Sequence, residues 1–337
     1  MNYFHYRQPF QLEAGGMLPE LTIAYNTYGQ LNDKKDNAVW ICHALTANSD
    51  AESWWKGVVG SHTAIDPSRH FIICANIIGS CYGSTGPLSV NSTTGKPFYS
   101  QFPFITIRDI VNAHILLRNY LNVDTIQLLM GGSMGGYQAL EWALMEPEKI
   151  QQLFLIATSA RETSWGIAIH TTQRLAIETD ATWNLPLENA AQKGLKTARA
   201  IGMLTYRSYD TYRITQSESD INKLDQFKAS SYMHHQGNKL VSRFNAYSYW
   251  FLTRALDSHN IARNRTATIE EALQRIKQRA LIISISSDIL CPVPEMELLA
   301  QNIPDNSFHI IHSDYGHDGF LVETEVITSF LRKWIGG

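Results

Sequence analysis

The chain has 337 residues, 44% hydrophobic and 18% charged, which is ample apolar material for a packed core and unlike a disordered composition. Lys and Arg total 28 against 31 Asp and Glu, a formal net charge of -3, and this balance argues against generic binding to nucleic acid or to an anionic membrane. No apolar run approaches the roughly 20 residues of a membrane span.

In chain order, short apolar runs read as strands at residues 21–24, 38–42 and 71–75. Ile107, Ile110, Val111 and Ile115 recur at helical spacing and predict a helix over about 107–120. Strand-like runs follow at 125–130 and 153–157. Between them a helical pattern begins just after Ser133, passes through Tyr137, Leu140 and Ala143, and stops near Pro147. Most of these runs are apolar on both faces, as expected for parallel strands covered on both sides. From about 160 to 279 the alternation breaks: no strand pattern is convincing, and the segment reads as helical, as at 190–203 and 247–256. Strands resume at 280–286 and 308–312, and a last helix spans about 323–334. The pattern predicts an α/β fold with a mostly parallel central sheet flanked by helices. Its core is residues 1–159 and 280–337, interrupted by a helical insertion at 160–279.

The four cysteines, Cys42, Cys74, Cys81 and Cys291, form no CxxC pair and no zinc-ligand spacing, so neither a metal site nor a disulfide framework is expected. His234-His235 lacks the spacing of a helical metal site and is expected on a helix surface. The N-terminus has no basic segment followed by an apolar one, so no secretory signal is read and a cytoplasmic address is expected.

Chemistry concentrates at Gly131-Gly132-Ser133-Met134-Gly135-Gly136. This G-x-S-x-G sits between an apolar strand and a helix, the setting of a turn that exposes a nucleophilic serine at a helix N-terminus. A serine hydroxyl needs a base to take its proton. Asp288, after the 280–286 run, and His317, after the 308–312 run, complete the chain order Ser, Asp, His, and all three fall at C-terminal ends of strands. His317 is the expected general base and acid, with Asp288 orienting it; Asp314 and Asp318 are rival acids, nearly adjacent to His317 in sequence. The oxyanion hole is expected from the backbone N–H groups of Met134 and of Leu45, the latter in His43-Ala44-Leu45-Thr46 after an early strand.

Several further segments carry a resemblance. His43 to Thr46, Trp54-Trp55, the stretch from Asn76 to Pro87, Thr106-Ile107-Arg108-Asp109, Gly131 to Gly136, Leu204-Thr205-Tyr206-Arg207-Ser208 and Tyr315-Gly316-His317-Asp318 resemble the homoserine O-acetyltransferase family of the α/β-hydrolase superfamily, over essentially the whole chain. The resemblance implies an α/β-hydrolase fold with a helical lid. It also implies ping-pong acyl transfer from acetyl-CoA, through acyl-Ser133, to L-homoserine, in methionine biosynthesis. It implies that Arg207 and Asp318 hold the amino acid, that acetyl-CoA is a co-substrate with no bound cofactor, and that the protein is a homodimer joined through the lid. An ester hydrolase, a homoserine O-succinyltransferase and a serine O-acyltransferase stay open as alternatives. Tyr137, where many members have Met, and Asn48-Ser49-Asp50 depart from the family pattern near the expected acyl tunnel.

Overall fold

The computed structural model describes residues 1–336. Eight strands form the main sheet: β1 (Asn2–Tyr6), β2 (Leu21–Tyr28), β3 (Ala38–Cys42), β4 (Phe71–Ala75), β5 (Ile126–Gly132), β6 (Ile150–Ile156), β7 (Arg279–Ile285) and β8 (Asn306–Ile311). Their order across the sheet is β1-β2-β4-β3-β5-β6-β7-β8. The last six of that order run parallel, and β2 is antiparallel to both β4 and β1. Strand β3 is buried at every position, as a central strand covered on both faces must be. β1 has no counterpart in the sequence reading. It is an edge strand with mostly exposed residues, so it lacks the apolar run that marks the others.

Helix α1 (Ile107–Tyr120) and helix α2 (Met134–Met145) cover one face of the sheet. Trp40 of β3 meets Trp142 of α2 edge-on, with ring centroids 4.9 Å apart, and both rings are fully buried. The Thr106-Ile-Arg-Asp109 segment acts here as structure. Thr106 and Asp109 form a capping box at the start of α1, and Asp109 also accepts the Glu13 N–H at 2.8 Å.

Residues 160–279 hold α3 (Ser164–Glu178), α4 (Gln192–Tyr206), α5 (Tyr209–Gln216), α6 (Lys228–Val241), α7 (Ala246–Asp257) and a short helix at Ile269–Leu273, with no strand before β7 begins at Arg279. The chain then returns through β7, α8 (Val293–Asn302), β8 and the closing helix α9 (Thr324–Gly336). No described helix is long and apolar enough to cross a membrane.

A buried ion cluster ties the helical segment to the core. Glu141 of α2, almost wholly buried, lies 3.1 Å from Arg108 Nε and also pairs with Arg265; Arg108 reaches Glu13 at 2.8 Å and the Arg263 carbonyl at 2.6 Å. Burial pushes the Glu141 carboxyl up in pKa, against the pull of the two arginines. Removing one member of such a buried set strands the others without a partner. Glu141→Ala should therefore lower the unfolding free energy by about 3–5 kcal/mol in urea titration; a loss below about 1 kcal/mol would show the cluster to be dispensable.

Candidate active site

The site is built on the turn from β5 into α2. Ser133 sits there with φ +54° and ψ −128°, a region a non-glycine residue occupies at a cost of about 1–3 kcal/mol. Its N–H, shared between the Ile156 and Ala157 carbonyls at 3.1 Å each, helps hold the turn. The neighbouring glycines are needed for contact reasons. A Cβ on Gly131 would stand 2.1 Å from the Gly135 carbonyl oxygen, and one on Gly135 would stand 2.0 Å from that of Cys42.

Three loops bring the expected side chains together. Ser133 Oγ lies 2.9 Å from His317 Nε2, and His317 Nδ1 lies 2.7 Å from Asp288 Oδ2. Asp288 Oδ1 accepts the N–H groups of Leu290 and Cys291 at 2.8 and 2.9 Å. This carboxylate thus caps the following turn and faces the imidazole at once. It is buried, as is His317. With Asp288 accepting at Nδ1, that nitrogen carries the ring proton and Nε2 is free to take one from Ser133. Burial alone would lower the His317 pKa; the charge and hydrogen bond of Asp288 outweigh it, and the imidazole lies above its ordinary 6.5. Of the rival acids, Asp314 is exposed and Asp318 is paired elsewhere.

The Ser133 hydroxyl opens into a cavity of about 330 Å³ lined also by Ala44, Leu45, Tyr137, Arg199 and Asp318. Among the described residues, the Leu45 N–H donates to no protein group, and the Met134 N–H is at the free first turn of α2. Arg207 does not line this cavity. Its Nε lies 3.0 Å from Asp318 Oδ2, and its guanidinium lies 5.9 Å from the Tyr315 ring centre. Arg207, expected to meet the substrate, follows helix α4 directly and stands against Asp318, which does line the cavity. The helix runs to Tyr206, three residues past its expected end, and Arg207 is the extended residue that closes it.

Two arginines absent from the sequence reading line the cavity, Arg199 and Arg243. Arg199 lies 5.2 Å from the Tyr206 ring centre, and no described carboxylate stands within ion-pair distance of it. Arg199 and Tyr206 are seven residues apart, two helical turns, so a shared helix face was readable in principle. Burial raises the Asp318 pKa, opposed by Arg207 and His317.

The same cavity has a polar wall that sequence patterns did not reveal. Tyr137 donates to Glu162 at 3.1 Å, and His170, 2.8 Å from Asp257, stands beside Glu162. Cys291 is buried close by, its thiol pushed well above its ordinary pKa by burial. Possible donor atoms of Asp288, Cys291 and His317 lie within 4.8 Å of one another, but both carboxylate oxygens and both ring nitrogens already have partners. His234 and His235 are exposed on α6.

The mostly parallel sheet, the strained serine turn and the Ser–His–Asp chain on successive loops define a protein of the α/β-hydrolase class, and the sequence pattern of the alpha/beta hydrolase fold matches residues 37–324. Two solved structures share the fold. A homoserine O-acetyltransferase from Bacillus anthracis has a TM-score of 0.90 at 23% identity, covering 98% of this chain and 96% of its own. Esterase E22 has a TM-score of 0.89 at 22% identity, covering 98% of each chain. A relative from Cyclobacterium marinum named homoserine O-acetyltransferase is 45% identical over 98% of this chain and 94% of its own length. The chain belongs to the homoserine O-acetyltransferase family.

A base must be neutral to accept a proton, so acylation should fall as pH drops through the raised His317 pKa. The acylation rate with p-nitrophenyl acetate should rise with pH to a plateau, with a midpoint above 6.5. Asp288→Asn should move that midpoint down and lower the rate by roughly 10³–10⁴-fold. An unmoved midpoint in a stopped-flow pH series would remove Asp288 from the role.

Proposed function

We propose that the protein transfers an acetyl group from acetyl-CoA to the side-chain hydroxyl of L-homoserine, in two steps through acetyl-Ser133. The observation that carries this reading is a cavity holding a complete Ser133–His317–Asp288 chain together with opposite charges, Arg199 and Asp318, near the nucleophile. Nothing in ester hydrolysis calls for such a pair, whereas a free amino acid presents a carboxylate and an ammonium together.

In the first step His317 Nε2 takes the Ser133 proton as Oγ attacks the thioester carbonyl. The tetrahedral oxyanion is held by the N–H groups of Leu45 and Met134. The intermediate collapses by breaking its C–S bond, and His317 returns the proton to the departing CoA thiolate. In the second step His317 deprotonates the homoserine hydroxyl, which attacks the acetyl carbonyl; collapse breaks the C–O bond to Ser133, releases O-acetyl-L-homoserine, and His317 returns the proton to Ser133 Oγ. Arg199 holds the substrate carboxylate with its planar fork, and Asp318 holds the ammonium. Arg207 serves by fixing Asp318. Acetyl-CoA is the co-substrate, and a reaction that draws on it belongs in the cytoplasm. Residues 160–279 act as the lid over the 1–159 and 280–337 core. Its exposed Leu204, Tyr209, Ile214 and Leu224 form the surface through which two copies join.

Thiol release from acetyl-CoA beyond one equivalent per protein should depend on homoserine, and mass spectrometry should place the acetyl adduct on Ser133. Fast ester turnover without CoA-dependent transfer would favour a hydrolase instead, and release with succinyl-CoA or serine would shift the substrate within the family. Ser133→Ala should abolish the adduct. Arg199→Ala should raise the homoserine KM roughly 10- to 100-fold while acetylation of Ser133 stays within about twofold of the wild type. Equal loss in both half-reactions would refute a role confined to the amino acid.

A further inference from the structure

The peptide joining Ala44 to Leu45 is gripped by its carbonyl. The Ala44 oxygen accepts the Ala47 N–H at 3.0 Å and bonds His43 Nδ1 at 2.8 Å. The other end of the same peptide, the Leu45 N–H, meets no protein acceptor among the described residues. In a trans peptide the N–H points opposite to the C=O, and no cis bond occurs among the described residues. Two bonds on the carbonyl therefore set the direction of the N–H, and Ala44 and Leu45 line the cavity that Ser133 shares.

The second partner of His43 decides its tautomer. Nε2 accepts the Ile77 N–H at 3.2 Å, so it is unprotonated, and the single ring proton is on Nδ1 facing the Ala44 carbonyl. His43 is wholly buried, and burial holds its pKa down at about 4 despite the Ala44 bond, so the neutral ring is the one present near neutral pH. Gln138 adds the link to the nucleophile. Its buried Nε2 donates to the His43 carbonyl and to the Met134 carbonyl, each at 3.1 Å. It therefore spans the loop that bears the Leu45 N–H and the helix turn that bears the Met134 N–H.

We propose that His43 and Gln138 are positioning residues that aim the Leu45 and Met134 N–H groups at the oxyanion before substrate arrives. The inference rests on the acyl-transfer reading above. Its physical content is that donors fixed in advance need no reorganisation when charge develops. Deleting one oxyanion donor costs roughly 10²–10³-fold in rate, so mis-aiming one should cost about 10- to 100-fold.

The test uses the full-length protein, burst kinetics with p-nitrophenyl acetate, and binding of phenylboronic acid, which forms a tetrahedral adduct on a reactive serine. His43→Gln keeps an acceptor near Nε2 but loses the Nδ1 donor. His43→Asn keeps a donor near Nδ1 and loses the acceptor. Gln138→Met keeps the shape and loses both donated bonds. His43→Gln and Gln138→Met should lower the acylation rate and the boronate affinity by the same factor, about 10- to 100-fold, with the ester KM unchanged. His43→Asn should recover most of the loss. The proposal is overturned if the two variants acylate like the wild type, if the rate falls while boronate affinity holds, or if His43→Asn is as impaired as His43→Gln. Should one variant fail to fold, the other decides by the same measurements. A wild type that forms no acetyl adduct and binds no boronate would instead overturn the acyl-transfer reading itself.

Discussion

The close approach of the first turn of α2 to the end of β3 is the constraint on which the rest depends. Gly135 lies against the Cys42 carbonyl with no room for a side chain, and Gly131 lies against Gly135. That contact forces Ser133 into a positive φ, and the strain is offset by the N–H bonds to Ile156 and Ala157. It also brings the loop after β3 beside the N-terminus of α2. A single steric requirement thus shapes the serine turn and the packing of the neighbouring loop against it.

Around this point burial and charge pairing oppose each other. Burial raises Asp318 and would depress His317, while Asp288 restores the imidazole to a value above its ordinary one. The consequence is an imidazole basic enough to accept a proton and oriented to deliver it at one atom. Arg199 is a cation of the cavity without a carboxylate partner among the described residues, whereas Arg207 spends its charge on Asp318. Charge left unpaired beside a nucleophile is where a charged substrate gains most, because little existing interaction has to be broken.

The helical segment over the sheet does more than cover it. Arg199, Tyr206, Glu162 and His170 all come from residues 160–279 and all line the cavity. The Glu141 cluster and the Arg207–Asp318 pair anchor that segment to the core at two places. The site is thus divided: the sheet loops carry the Ser133–His317–Asp288 chain, and the helices shape and charge the cavity beside it.

The sequence by itself determined the strand and helix alternation, the Gly-Ser-Gly turn and the chain order of Ser133, Asp288 and His317. Strands β3 and β4 were legible to the residue because central parallel strands are apolar on both faces. β1 was not, because an exposed edge strand needs no apolar run. Tertiary structure alone decided which arginines face the cavity. Arg199 and Arg243 line it, while Arg207 stands against its Asp318. It also decided the Tyr137–Glu162 wall and the His43–Gln138 bridge, contacts between residues 25 and 95 positions apart. Periodicity records which face of an element is apolar, since burial repeats along the chain. It carries no record of which polar side chains from different elements meet, because that depends on how the elements pack.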